Sequence, residues 1–526
     1  MKVLISDALS EHGVKIIRDS GLDVDVNTKL SNEELQGEIE QYHGLVIRSA
    51  TKVNAKVIAA ATNLKVVGRA GSGVDNVDLP AATKRGIVVM NTPGGNTITT
   101  AEHAFAMMLS LARRIPQATA SMKAGKWEKS KFMGMELQEK VLGIIGLGQI
   151  GSYLVKLAQG ASMKVIANDP YLAEDRAREM GVELVGLSEL YRRADVISIH
   201  TTMTNETKHM IGAEAMRQMK DGVRIVNCAR GGLVDENALV EALTSGKVAG
   251  AAVDVFEKEP CAPDHPLFAF DNVIVTPHIA ASTTEAQESV AISIAEQVVE
   301  YLTRGVARGA VNMPSAPVEL LQRLQPYSVL AEKLGALQAQ LCDGGIERVT
   351  IEYKGDVANE SVALITPALL KGLLAPILEG TVNNVNAPVI AKERGIEVKE
   401  VRSRDAGEFT SLIRVVVDAA KKSATVAGTL FGRKDPRVVE VNSFKVDFDP
   451  RGHLLFILNE DQPGVIGMVG RILGEHGINI ARMECARVGQ GGVALLILAL
   501  DSQTPDAVLD AIKSSTNIQS AKCLQL

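Results

Sequence analysis

Residues 141–169 hold the pattern that most restricts how this chain can fold. Val141, Leu142, Gly143, Ile144 and Ile145 form a short apolar run that leads directly into Gly146-Leu147-Gly148-Gln149-Ile150-Gly151. A segment of helical periodicity follows, then a second apolar run, Val165-Ile166-Ala167, which stops at Asn168-Asp169. Each part of this strand–turn–helix–strand unit suits a dinucleotide. Gly146 permits the tight turn, Gly148 lets backbone approach a pyrophosphate, and Gly151 allows close packing of helix on strand. The N-terminus of the helix offers unpaired N–H groups and partial positive charge to phosphates. Asp169, about 20 residues beyond the glycines, can accept hydrogen bonds from ribose hydroxyls. Its charge would repel a 2′-phosphate, so the expected cofactor is NAD.

With 526 residues the chain is too long for one core, and several domains are expected. The formal net charge is −6 and no long basic block occurs, which argues against nucleic acid or an anionic membrane as the main partner. Cys228, Cys261, Cys342, Cys485 and Cys523 are scattered without a Cys-x-x-Cys pair, so neither zinc nor a disulfide framework is indicated. The opening Met-Lys-Val-Leu-Ile-Ser-Asp reads as a strand and not as a signal peptide. No apolar stretch is long enough to cross a membrane. These features together read as a cytoplasmic protein.

From residue 1 to about 315, short β-branched runs alternate with helical patterns, the signature of parallel α/β sheet. The runs include 3–5, 44–47, 66–68, 88–90, 196–199, 224–226 and 273–275. About 100 residues of this texture precede the fingerprint, so a separate α/β unit comes first. Residues 285–312, helical and apolar-periodic, are suited to return to it. The segment 100–114 is apolar nearly all round. Periodicity alone leaves open whether it is buried in its own domain or against another subunit. The texture changes near Met313-Pro314-Ser315-Ala316-Pro317, and alternating strands occur at 349–353 and 412–417. After Asp449-Pro450-Arg451-Gly452 a strand, a Pro-Gly turn, a helix, two strands and a further helix supply five of the six elements of a β-α-β-β-α-β outline.

Three polar residues follow apparent strands beyond the fingerprint. Arg230 lies in Asn227-Cys228-Ala229-Arg230-Gly231-Gly232, Glu259 in Phe256-Glu257-Lys258-Glu259-Pro260, and His278 in Thr276-Pro277-His278-Ile279. Ligands of such folds sit outside the carboxyl ends of the strands, so all three can converge. Taken singly, each has a plain reading as a solvated, turn or capping residue. Together they make a reaction centre. A histidine titrating near neutrality can take the proton of a secondary alcohol, and a carboxylate on its other nitrogen can orient it and raise its pKa. An arginine can grip a carboxylate through two parallel hydrogen bonds and polarise the adjacent carbonyl.

On these motifs, residues 1–312 resemble the D-isomer-specific 2-hydroxyacid dehydrogenases. The segments Gly68-Arg69-Ala70-Gly71-Ser72-Gly73-Val74-Asp75-Asn76-Val77-Asp78, Met90-Asn91-Thr92-Pro93-Gly94 and 227–232, with 123–134, are most similar to members acting on a phosphorylated glycerate. The rest of the chain is similar to the long form of those members. The resemblance implies two Rossmann-like, doubly wound parallel-sheet domains: a substrate-binding one from 1–98 with 285–312, and an NAD-binding one from 99–284. An α+β intervening domain over 315–450 and a ferredoxin-like ACT domain over 452–526 would follow. It implies oxidation of 3-phospho-D-glycerate to 3-phosphohydroxypyruvate with NAD, the first step of serine biosynthesis, in a homo-oligomer expected to be a tetramer. Carried over by position, Arg230, Glu259 and His278 are catalytic. Gly146, Gly148, Gln149, Ile150, Gly151, Asp169, Thr201, Cys228, Ala229 and Asp254 contact the cofactor. Arg48, Arg69, Ser72 and Asn91 hold the substrate, and Lys129 and Lys131 reach that of a neighbouring subunit. Read on their own, exposed lysines beside Trp127 are equally ordinary solvated residues.

The pattern Asp461-Gln462-Pro463-Gly464 with Asn479-Ile480 resembles ACT domains that bind amino acids at a dimer interface, which makes L-serine the candidate effector. The plain alternative is a turn opened by Asp461 and a strand capped by Asn479. Asn459 stands where some serine-responsive relatives carry other residues. Two other functions stay open at this level: a dehydrogenase of another D-2-hydroxyacid, and an NAD-sensing corepressor-like scaffold. The folded pattern of the tail argues against the scaffold.

Overall fold

A computed structural model describes residues 1–378, 381–420, 423–489 and 491–526. Its first sheet contains five strands, Lys2–Ile5, Asp23–Val26, Gly44–Ile47, Val66–Arg69 and Val88–Met90, all parallel. Apart from the edge strand Asp23–Val26 they are apolar and buried, as befits a parallel sheet covered by helices on both faces. One cover comes from far along the chain. The helix Thr284–Arg304 lays Val290, Ile294, Ala295 and Val298 against Val3, Ile5, Val66 and Val88. It stops short of the 312 expected from periodicity because Gly305 adopts φ 72° and caps it. The chain beyond pairs back onto the sheet, with Met90 bridged to Ala310.

The second sheet has seven parallel strands in the order Val273–Val275, Val248–Val253, Val223–Asn227, Val196–Ile199, Val141–Ile145, Lys164–Asn168, Glu183–Leu184. The direction of winding reverses between Val141–Ile145 and Val196–Ile199, which opens a crevice at their carboxyl ends. The helix Thr97–Arg113 buries Ala101, Ala104, Met107, Met108 and Leu111 against this sheet. Its other side leaves Ile98 and Leu109 exposed, close in sequence to exposed Ile115, Met122, Trp127 and Met133. Burial in its own domain therefore accounts for one face only.

The two remaining sheets share a core. A six-stranded mixed sheet, in which only Glu397–Ser403 and Ile346–Gly355 run parallel, packs on helices Val318–Leu341 and Thr366–Leu374. The last sheet is antiparallel, in the order Ile480–Arg487, Val493–Leu500, His453–Glu460, Ile518–Gln525. Helices Val465–Glu475 and Asp506–Lys513 cover one face through Val465, Val469, Leu473, Val508 and Ile512. The opposite face, with Leu454, Phe456, Leu495 and Ile497, joins the core of the mixed sheet. There Phe448 and Phe456 meet edge to face, 5.6 Å between centroids. The overall class is α/β, with Rossmann-like parallel sheets, a mixed sheet and a C-terminal antiparallel sheet with two helices on one face. Among the described residues no helix is long and apolar enough to cross a membrane.

Candidate active site

The glycine turn is built as its chemistry requires. Gly146 has φ 93°, and a Cβ on it would stand 2.7 Å from the His200 carbonyl oxygen. A Cβ on Gly151 would fall 2.1 Å from the Gly146 carbonyl oxygen, so helix Gln149–Gly160 touches the turn with no room between them. Nothing lies within 4 Å of a Cβ built on Gly148, and no side chain caps the first helical turn. An open slot before an uncapped helix N-terminus fits a pyrophosphate. Asp169 directly follows the next strand, Lys164–Asn168, and accepts from the backbone N–H groups of Leu147 and Tyr171, at 2.8 and 2.9 Å, which aims its carboxylate at the same turn. Because the Gly151 contact is backbone on backbone, Gly151→Ala should cost about 1–3 kcal/mol of stability. It should also weaken NADH binding about tenfold or more by lifting the helix. Thermal unfolding and NADH fluorescence titration measure both, and a variant with unchanged values would refute the close-packing role.

The carboxyl ends of the two parallel sheets face each other across a cleft of about 1130 Å³. Arg48, Arg69 and Ser72 line one wall; Thr201, Cys228, Ala229, Arg230, Glu259 and His278 line the other, with Ile150 at the turn. His278 occupies a left-handed conformation, φ 54°. Asp254 holds the turn around it. This residue is wholly buried, and its carboxylate accepts from Ile279 and Ala280 N–H at 2.9 and 3.0 Å and from the Thr276 hydroxyl at 2.5 Å. His103 Nε2 lies 3.4 Å away. Burial alone would raise the pKa of Asp254, but these hydrogen bonds keep it below its usual value.

Nδ1 of His278 meets Glu259 Oε2 at 2.6 Å. That hydrogen bond raises the histidine pKa above its ordinary 6.5 against the opposing effect of burial. Glu259 is partly desolvated, which works upward, yet His278 and the Phe256 N–H hold its pKa below the normal carboxylate value. With Nδ1 engaged, Nε2 is the nitrogen left to exchange a proton in the cleft. Burial, followed by repulsion from Arg230, pulls the Arg69 guanidinium down to about 10, so it stays charged at neutral pH. His200, also in the lining, is driven to about 4 by burial and is neutral. Burial and Asp254 push the Cys228 thiol up, so it remains protonated and unreactive.

Not every expected residue reaches the cleft with its side chain. Asn91 is buried behind it and donates to the Ser72 carbonyl oxygen at 2.5 Å, which supports the loop and does not form its surface. Gln149 turns toward the Thr97 hydroxyl, 3.1 Å away. Lys129 and Lys131 lie on the short turn Lys129–Phe132, exposed and outside the cleft lining, with Lys131 paired to Glu128. Asp461 and Asn479 sit at opposite ends of their sheet. Asp461 bonds Arg487 and the Gly491 N–H, whereas Asn479 bonds Asp501. Eight-residue strands separate them by about 25 Å, so within one chain they form no common site. Asn459, on the same sheet, is buried with Oδ1 unpartnered among the described residues.

Several lining residues escape a reading of the sequence, among them Lys52, Asn96, His200 and Asp75. Asn96 accepts from the Ser72 hydroxyl at 2.6 Å. Asp75 does lie within the quoted glycine-rich segment, but no spacing links it to Arg230, its partner at 2.9 Å across the cleft.

Comparison with known proteins agrees with this geometry. Residues 105–280 match the D-isomer specific 2-hydroxyacid dehydrogenase NAD binding domain, residues 323–442 the D-3-phosphoglycerate dehydrogenase intervening domain, and residues 453–516 the ACT domain. The D-lactate dehydrogenase of Aquifex aeolicus, solved with NAD and lactic acid, is 30% identical with a TM-score of 0.53; the alignment covers 60% of this chain and all of that one. Fold and site thus define the class, an NAD-dependent oxidoreductase of the 2-hydroxyacid dehydrogenase type. Similarity to the D-3-phosphoglycerate dehydrogenases of Archaeoglobus fulgidus and Methanocaldococcus jannaschii is 46% identity in each case, over the full length of both chains. The chain belongs to the D-3-phosphoglycerate dehydrogenase family.

Proposed function

We propose that this protein oxidises 3-phospho-D-glycerate to 3-phosphohydroxypyruvate, using His278, Glu259 and Arg230 for the reaction and NAD as oxidant. The observation that carries this reading is the His278–Glu259 pair opening on a cleft walled by three guanidiniums, those of Arg48, Arg69 and Arg230. Such a cleft suits a small substrate that bears both a carboxylate and a phosphate. The Gly146–Gly151 turn and Asp169 would hold NAD, which when bound would supply the acceptor for the hydride of the carbinol carbon. His278 Nε2 takes the hydroxyl proton, and Glu259 stabilises the imidazolium that results. Arg230 grips the carboxylate and polarises the forming carbonyl. Arg48 and Arg69 meet the phosphate, with Ser72 on the same loop and Asn91 behind it. Thr201, Cys228, Ala229 and Ile150 line the cofactor side, and Asp254 holds the turn that presents His278.

The decisive experiment compares NADH production from 3-phospho-D-glycerate and from unphosphorylated D-glycerate. A preference of at least a hundredfold in kcat/KM is expected, since the charge-assisted hydrogen bonds lost from two partly buried guanidiniums are worth on the order of 3 kcal/mol. Equal rates would exclude a phosphate-binding role for Arg48 and Arg69.

The same reading includes a homo-oligomer, a tetramer, and feedback by L-serine. The exposed apolar residues Ile98, Leu109, Ile115, Met122, Trp127 and Met133 support association through the NAD-binding unit. A second copy could also carry Lys129 and Lys131 toward a neighbour's substrate. The separation of Asp461 from Asn479 means that a serine site using both must combine two chains, with Asp461 of one and Asn479 of the other. The unpartnered oxygen of Asn459 supports a ligand near Asp461. Calorimetry with millimolar L-serine should show binding that Asp461→Ala abolishes. Absence of heat, with no inhibition, would remove serine from the reading.

A further inference from the structure

We propose that Asp75 is a positioning residue for the reaction: from the opposite wall of the cleft it holds the Arg230 guanidinium in the rotation that faces the substrate carboxylate. This rests on the reading of Arg230 given above. Asp75 lies on the loop after strand Val66–Arg69, and Arg230 follows Val223–Asn227 in the other sheet. Arg230 Nε donates to Asp75 Oδ2 at 2.9 Å, while Nη1 donates to the Ala229 carbonyl oxygen at 2.7 Å. Two bonds on different edges of a planar group remove its freedom to rotate. Nη2 then points at the loop, where a Cβ on Gly73 would stand only 1.9 Å from it. The guanidinium enters space that a glycine leaves empty.

The other side of the loop repeats this arrangement. A Cβ on Gly71 would stand 1.9 Å from Arg69 Nη1. The backbone of residues 71–73 is therefore flanked by two guanidiniums, with Asp75 as the carboxylate that pairs one of them. Stability does not explain the pair. The Asp75 side chain is 68% exposed, and an ion pair so open to water contributes little to folding. What it supplies is orientation. A long, unrestrained arginine at a cleft mouth samples many rotamers, and misplacing a reacting group by about 1 Å can cost on the order of a hundredfold in rate. Asp75 is also an anion beside a site for an anionic substrate, so removing its charge should not weaken substrate binding.

The test uses the full-length enzyme with NAD and 3-phospho-D-glycerate. Asp75→Asn should lower kcat at least tenfold while KM stays level or falls, with thermal unfolding and NADH affinity unchanged. Asp75→Glu should recover part of the lost kcat, and it serves as the second variant if the asparagine form folds poorly. In an Arg230→Lys background, Asp75→Asn should change kcat/KM less than twofold, because the group it positions is already gone. Asp75→Asn with normal kcat overturns the proposal. So does a raised KM at normal kcat, which would make Asp75 a substrate contact, or an undiminished effect in the Arg230→Lys background, which would make it independent of Arg230. The underlying reading fails separately: Arg230→Lys alone would then retain its kcat/KM.

Discussion

His278→Asn is expected to lower kcat for alcohol oxidation by about two to four orders of magnitude, the range that a positioned general base supplies. Asparagine preserves the approximate shape and can still bond Glu259, so the loss falls on proton transfer and not on the fold. The pH profile gives the sharper test. His278 accepts a proton only when neutral, and its pKa is raised above 6.5 chiefly by the Glu259 hydrogen bond. Oxidation should therefore rise with pH through a limb lying above 6.5, and His278→Asn should remove that limb. Glu259→Gln should move it to lower pH, because burial, which lowers the histidine pKa, is then opposed only by weaker influences. The Gln variant should also lose kcat, since an amide stabilises the imidazolium less well than a carboxylate. Stopped-flow or steady-state rates across pH 5.5–9 measure both, and an unaltered limb in His278→Asn would remove it as the base.

Arg230→Lys should lower kcat/KM by about a hundredfold or more, comparable to removing one donor that acts on charge developing in the transition state. Charge is conserved in this substitution, so the loss isolates geometry. The Arg230 Nε and Nη1 each donate one bond, to Asp75 and Ala229, which leaves Nη2 and the second Nη1 hydrogen to meet a substrate carboxylate. An ammonium is a point charge and cannot hold Asp75 and a substrate carboxylate in fixed directions at once. Both kcat and KM should suffer. A Lys variant with wild-type kcat/KM would show that Arg230 neither grips the carboxylate nor polarises the carbonyl.

Much of this was legible in the linear chain, for identifiable reasons. Runs such as Val196–Ile199 and Val223–Asn227 announce buried parallel strands because a sheet covered on both faces leaves no polar alternation. The residue after such a strand lies at its carboxyl end, which is why Arg230 and His278 could be named. Other features follow from no spacing. Lys129 and Lys131 share a glycine- and lysine-rich segment with Trp127, yet their turn lies outside the cleft of their own chain. Asp461 and Asn479 stand 18 residues apart by number and at opposite ends of a sheet in space, because a helix and a strand order that skips neighbours intervene. The apolar helix Thr97–Arg113 left two burials open, and only packing divided it into a buried and an exposed face.

The sequence by itself determined the turn we propose as the NAD site, since Gly146, Gly148, Gly151 and Asp169 belong to one local strand–turn–helix–strand unit whose geometry follows from backbone sterics and short-range hydrogen bonds. Tertiary structure alone decided the proposed substrate side. Asp75 and Arg230 lie on loops of different sheets, and Asp254 reaches the His278 turn through hydrogen bonds closed only when two strands align. Pairings of that range depend on how sheets pack, and packing is set by the volume and burial of many residues at once. No short motif carries that information.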